Sequence, residues 1–165
     1  GAHVLSEIRR LIPGTDDWPR WGRNHFGLQC RWVSVKVTAP NDSIFWHGMD
    51  GSCLPLSISH RFGRIHSAGK NTAWQSLSRL SYVDSHGYTA QSYPDNPDGS
   101  EHGAAALASV DGRVQAIIGH PERGFQAAQL MSIDKNLPGL WLRLFSNAQR
   151  WAAEQIEYKS NTDAA

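Results

Sequence analysis

Apolar residues recur along this chain at two spacings, one helical and one extended. Val4, Leu5, Ile8, Leu11 and Ile12 fall three and four apart, and Pro13-Gly14 ends the run, so Ala2 to Ile12 is predicted as an amphipathic helix. From Cys30 to Thr38 the period changes to two, with Trp32 and Ser34 set against Val33, Val35 and Val37, which predicts a strand. Leu54 to Ser59 is a second, shorter strand ending at His60. Thr72 to Leu80 is predicted as a short helix and Leu80 to Val83 as a strand. Asp111-Gly112 is a two-residue turn signal between the apolar runs Ala104 to Val110 and Val114 to Ile118, hence a hairpin. Leu137-Pro138-Gly139 introduces Leu140, Leu144, Phe145, Ala148, Trp151 and Ala152, the stripe of a C-terminal amphipathic helix. Between these lie a Trp- and Arg-bearing loop from Thr15 to Arg23 that runs on through Gln29, a turn-rich connection from Asn41 to Ser52, a loop at Gly63-Arg64, and the loop Tyr93 to Ser100. Tyr158 to Ala165 reads as a frayed tail. Strands alternating with helices imply α/β architecture, a mainly parallel sheet carrying one antiparallel hairpin.

Length and charge narrow the classes. One domain fits 165 residues, and 40% hydrophobic with 19% charged residues is a globular composition. A net charge of +1 supplies no electrostatic footprint for nucleic acid or anionic membrane. No apolar run approaches a membrane span, and no charged-then-apolar leader is present. Cys30 and Cys53 make neither a disulfide framework nor a metal cage; as small buried hydrophobes they fit a reducing, cytoplasmic compartment. No His or Cys cluster has zinc spacing, so no metal is expected. The chain opens Gly-Ala-His and enters a helical pattern at once, as an internal cut through a larger protein would.

The chemistry-bearing text is His120-Pro121-Glu122-Arg123, directly after the second hairpin run. On an extended backbone residues two apart point to the same side, and Pro121 biases His120 toward that conformation, so Glu122 can reach a ring nitrogen of His120. A histidine oriented by a carboxylate is the base half of a nucleophilic triad. Alone, the pair is more often a surface turn, with Glu122 paired to Arg123 or solvent. The loop Tyr93-Pro94-Asp95-Asn96-Pro97-Asp98-Gly99-Ser100 is by its chemistry a turn in which Gly99 and Ser100 can offer backbone N–H groups to a small ligand. His60 by itself reads as structural or exposed.

Taken in order, Leu11-Ile12-Pro13-Gly14, Trp18-Pro19-Arg20, Arg23-Asn24, Tyr93-Pro94-x-Asn96-Pro97-x-Gly99-Ser100, Asp111-Gly112-Arg113-Val114, His120-Pro121-Glu122-Arg123 and Phe145-x-Asn147-Ala148-x-Arg150 resemble the C-terminal glutaminase domain of phosphoribosylformylglycinamidine synthases, a purine-pathway family. The resemblance runs from residue 1 to about Trp151. It implies a class I glutamine amidotransferase fold (flavodoxin-like, doubly wound) lacking its N-terminal strands, with residues 1–157 as a partial domain and 158–165 as a tail. It further implies a cysteine in a Gly-x-Cys-x-Gly elbow that attacks the amide of glutamine, with His120 as the triad histidine and Glu122 as the triad acid. Asn24, Arg31, Asn96, Gly99 and Ser100 match family text near the glutamine pocket and become candidate substrate-binding residues. The ammonia so released would pass to a synthetase domain of the same polypeptide, where ATP and magnesium activate formylglycinamide ribonucleotide; the resemblance implies no cofactor in this segment.

Four places depart from the family text. Gly1 aligns with the second glycine of the elbow, so the nucleophile would lie two residues upstream. Ala2-His3 stands for Cys-Gln, His60-Arg61-Phe62-Gly63 for His-Gly-Glu-Gly, and Gly119 for a proline. Three readings follow: a truncated glutaminase domain, inactive by itself; a catalytically dead amidotransferase-like module kept for protein contacts; and a hydrolase using Cys30 or Cys53. The missing first strands predict exposed apolar surface and marginal stability for the isolated chain.

Overall fold

A computed structural model describes residues 1–39, 43–67, 72–130 and 139–162, with side chains as far as Tyr158. In chain order its regular elements are α1 (Ala2–Glu7), a 3-10 turn (Arg9–Leu11), β1 (Trp21–Arg23), β2 (Gln29–Val37), β3 (Cys53–His60), β4 (Phe62–Ile65), a 3-10 turn (Ala73–Leu77), β5 (Ser78–Tyr82), a 3-10 turn (Glu101–Gly103), β6 (Ala104–Ala108), β7 (Gln115–Ile117), 3-10 turns at Pro121–Gly124 and Ala127–Leu130, and α2 (Leu142–Thr162).

Five strands form one sheet in the order β3-β2-β5-β6-β7, and β1 pairs separately with β4. The class is mixed α/β, as expected, but the sheet is not mainly parallel: every strand pairing among the described residues is antiparallel. A parallel pair needs a crossover of a dozen or more residues, usually helical, and no described connection between strands holds an α-helix.

Alternation does its expected work in β2 and β3. Val33 faces Leu56 and Val35 faces Leu54 across the pair, and all four are buried on one face. With Val37, Leu80, Tyr82, Trp46, Met49, Trp141 and Leu144 they make the first core cluster. On the other face Trp18, Trp21, Trp74, Ile65, Leu107, Ala116 and Ile118 make the second. Beyond that cluster, the same face of β2 carries Cys30, Trp32 and Ser34, all exposed, with Trp32 at 46%.

Several expectations are corrected. The N-terminal helix stops at Glu7, because Thr15 turns its hydroxyl onto the carbonyls of Arg9 (2.5 Å) and Ile12 (2.9 Å) and the following turn tightens to 3-10. Its buried residue is Ser6, while Val4, Ile8 and Leu11 are exposed. Thr72 to Leu80 divides into a 3-10 turn and β5. In α2 the buried face is Trp141 (just before it), Leu144 and Asn147. Leu140 and Phe145 stay exposed, and Asn147 ties the helix to the carbonyls of Phe45 (2.8 Å) and His47 (3.0 Å). The helix runs without a break across residue 157 to Thr162; Leu137-Pro138 and the tail's last three residues, 163–165, lie outside the described residues, as do residues 41 and 42 of the turn-rich connection. Cys30 and Cys53 are free and exposed rather than buried.

Candidate active site

The hairpin delivers His120. Ser109 N–H donates to Val114 O (2.9 Å), Asp111 Oδ1 accepts from Ser109 Oγ (2.6 Å) and Arg113 N (3.1 Å), and Gly112 takes φ +70°. The connection is thus four residues, Val110 to Arg113, not the two of the turn signal. After β7 the chain crosses β3 so closely that a Cβ at Gly119 would lie 2.5 Å from Leu56 Cγ and 2.8 Å from Ser57 O. That approach accounts for glycine at this departure: proline carries the same Cβ. His120 then forms an isolated antiparallel bridge with Ser57, its N–H donating to Ser57 O at 2.7 Å.

His120 Nδ1 and Glu122 Oε1 are 2.8 Å apart. The expected contact is present, but not on an extended backbone. Only His120 is near-extended (φ −118°, ψ 79°), and Glu122 lies in the first turn of the 3-10 segment that Pro121 opens. A carboxylate is acceptor only, so Nδ1 is the donor and the lone pair is left on Nε2. The turn is pinned by Arg123, which donates through N to His120 O (3.1 Å) and through Nη1 to Ser57 Oγ (3.4 Å).

Asn24 is buried, and all its polar atoms point inward. Oδ1 accepts from Gly63 N (3.0 Å), while Nδ2 donates to Gly27 O (3.0 Å), His60 O (3.0 Å) and His60 Nδ1 (3.2 Å). His60, which sequence reasoning set aside, is enclosed; its pKa falls to about 4, first through burial and then through the charge of His120. Gly63 is the reason the ring fits: a Cβ there would stand 2.6 Å from His60 Nδ1.

The loop from Asn96 to Ser100 spends its donors on itself. Asn96 Oδ1 accepts from Gly99 N and Ser100 N (both 3.1 Å), and Asp98 Oδ1 accepts from Ser100 N (3.0 Å) and Ser100 Oγ (2.7 Å). The N–H groups considered for a ligand are therefore engaged. Asp98, missed in the sequence, is the buried centre of this loop, with Oδ2 accepting from Tyr82 Oη (2.8 Å). Burial raises its pKa against the pull of these hydrogen bonds, and burial and then Asp98 push the Tyr82 phenol well up. The one sequence signal for Asp98 is an Asp before Gly-Ser, an Asx-turn pattern. Arg31 reaches the same loop from β2: Nη2 donates to Pro94 O, and the guanidinium lies 5.2 Å from the Tyr93 ring centre. A cleft of 220 Å³ runs past Arg31, Trp32, Ser34, Pro55 and Asp95.

The two loops are sewn together by His25 N to Asp98 O (3.1 Å), Arg64 Nε to Gly99 O (3.2 Å) and Ile65 N to Ser100 Oγ (2.9 Å). Asn24, Arg31, Asn96, Gly99 and Ser100 are thus linked into one network of contacts, which His60 joins through Asn24. Two departures from the family text also meet, for His3 and Phe62 have ring centres 5.6 Å apart. Among the described residues no group of three or more His, Cys, Asp or Glu could hold a metal, and no helix is long and apolar enough to cross a membrane.

Residues 1–152 match the model of the CobB/CobQ-like glutamine amidotransferase domain family. Among solved structures, that of PurLQS from Thermotoga maritima superposes with a TM-score of 0.64 at 21% identity, over 92% of this chain. The chain spans 58% of that structure's chain.

Proposed function

Because the chain belongs to the CobB/CobQ-like glutamine amidotransferase domain family, we propose that it is the base-and-acid part of the glutaminase of a phosphoribosylformylglycinamidine synthase. The observation that carries the reading is the 2.8 Å contact of His120 Nδ1 with Glu122, inside the matched residues and in the order the ordered motifs require.

In this reading a cysteine two residues before Gly1 attacks the side-chain amide carbon of glutamine. His120 Nε2 takes the thiol proton and returns it to the amide nitrogen as the C–N bond breaks, which leaves a glutamyl thioester and ammonia. Water, losing a proton to the same Nε2, then releases glutamate and restores the thiol. Glu122 holds the imidazole in the tautomer that leaves Nε2 basic and stabilises the imidazolium between the two transfers. A synthetase domain of the same polypeptide, with ATP and magnesium, consumes the ammonia in amidinating formylglycinamide ribonucleotide, in the cytoplasm.

The test is glutamate release from glutamine by the natural protein that contains this segment. His120→Ala is expected to lower kcat/KM by roughly a thousandfold or more, and Glu122→Ala by less, since an unoriented imidazole still acts part of the time. Full activity without His120 would overturn the assignment. A second reading, a dead module kept for its contacts, is favoured by the meeting of His3 with Phe62, since two changed segments that pack together look maintained rather than decayed. A residue other than cysteine at the upstream position selects it.

A further inference from the structure

We propose that His60 is a positioning residue for the His120–Glu122 pair: locked by Asn24 with its proton on Nε2, it fastens the end of β3, the strand whose Ser57 carbonyl receives the His120 N–H. The inference rests on the reading of His120 as the base, but it is tested by quantities that do not require catalysis.

The amide of Asn24 has one possible orientation. Its oxygen faces the Gly63 N–H at 3.0 Å, and its nitrogen faces two carbonyl oxygens, Gly27 O and His60 O, each at 3.0 Å. The third contact of that nitrogen is 3.2 Å to His60 Nδ1, and because an amide nitrogen cannot accept a hydrogen bond, a proton on Nδ1 would have no acceptor there; Nδ1 presents its lone pair to an N–H shared with a carbonyl. An imidazolium would set N–H against N–H. His60 is therefore neutral with Nε2 protonated, in agreement with the depressed pKa that burial imposes. Among the described residues the buried Nε2–H has no hydrogen-bond partner, and 3.9 Å from Asp98 Oδ2 it stops short of a bond.

The ring is met by Asn24, 36 residues away in sequence, and lies so near Gly63 that a Cβ there would stand 2.6 Å from it; the same Cβ would stand 2.8 Å from Ile118, two residues before His120. Three residues back along β3, Ser57 takes the His120 N–H at 2.7 Å and the Arg123 guanidinium at 3.4 Å. Slack at His60 is thus transmitted to the one strand on which the His120 backbone rests. The side chain is a link because the ring fills the space between the Asn24 amide and Gly63, beside the backbone His60 O that Asn24 also holds at 3.0 Å.

Imidazole nitrogen NMR on the 165-residue chain tests this. In the wild type, His60 should show an unprotonated Nδ1 and a protonated Nε2 at neutral pH, and His120 a hydrogen-bonded Nδ1–H. His60→Asn places an amide oxygen where Nδ1 was and should keep the His120 signal. His60→Ala should lose it, or show exchange of the His120 Nδ1–H faster by roughly tenfold. His60 protonated on Nδ1 overturns the proposal, without any variant and whatever His120 does chemically. So does a His60→Ala chain that keeps its sheet amide spectrum and a wild-type His120 signal. Failure of glutaminase activity in the natural protein that contains this segment, with these signatures intact, would count against the proposed function and leave the positioning role standing.

Discussion

At the scale of single residues, the site is a set of donors and acceptors whose protonation is fixed by what encloses them. His60 shows the consequence for stability. Its pKa is lowered from 6.5 to about 4 in the fold, first by burial and then by His120. A histidine whose folded pKa is depressed binds fewer protons folded than unfolded between those values. Its contribution is therefore fully present above pH 6.5 and is lost as pH falls toward 4. At about 1.4 kcal/mol per unit the loss is bounded near ~3 kcal/mol. Urea unfolding at steps from pH 7 to 4 should show stability falling in that window, and His60→Asn should flatten the fall. Parallel curves for the two proteins would mean that His60 is not the group responsible. Legibility at this scale was uneven for a physical reason. His120 and Glu122 are two residues apart, so their contact is local and their text announces it. The Asn24 to His60 and Tyr82 to Asp98 contacts join residues 36 and 16 apart, and nothing in a linear reading brings them together.

Among the elements, those governed by their own pattern were readable. Alternation placed β2, the short strand predicted over Leu54 to Ser59 lies in β3, and Asp111-Gly112 placed the hairpin. The pair β1–β4 was not, because strands of three and four residues leave no room for a period, and Trp21 finds Ile65 only across the fold. The stripe assigned to α2 failed at Leu140 and Phe145, since the face presented to the sheet is set by Asn147 docking on the Phe45–His47 turn. The hairpin allows a direct check. Asp111 is held below the usual carboxylate range, first by the Ser109 hydroxyl and then by the Arg113 N–H. A depressed acid stabilises the fold above its unfolded pKa and ceases to do so as pH falls through its folded one. Asp111→Ala should therefore cost about 1 kcal/mol at neutral pH, a melting-temperature drop of roughly 2–4 °C, and the difference from wild type should shrink in acid. Asp111→Asn, which keeps the acceptor oxygen, should recover most of the loss. Calorimetry on the three chains decides it, and an unchanged Asp111→Ala midpoint would remove the turn from the account.

At the scale of the molecule, the question is which parts of a triad one antiparallel sheet can bring together. His120 and Glu122, the proposed base and acid, are local to one turn, so their contact persists wherever the hairpin folds. A nucleophile has to arrive from another element, and the two thiols present are badly placed. Cys30 lies opposite Ser59 on β2, while His120 bridges Ser57 on the far side of β3. A whole strand therefore stands between them, about 10 Å at the usual strand spacing. Cys53 is on β3 itself but four residues from Ser57, roughly 13 Å along the strand. Neither distance approaches the hydrogen-bond reach that a thiol–imidazole pair needs, about 3 Å or one bridging water. Residues 1–165 alone are thus expected to release no glutamate from glutamine above a protein-free control, and Cys30→Ala and Cys53→Ala should change nothing. A thiol-specific reagent should label both, as both are exposed. Glutamate release that disappeared in one of those variants would place the nucleophile inside this chain, require β2 or β3 to move by several ångströms, and sink the reading in which the cysteine comes from upstream of Gly1.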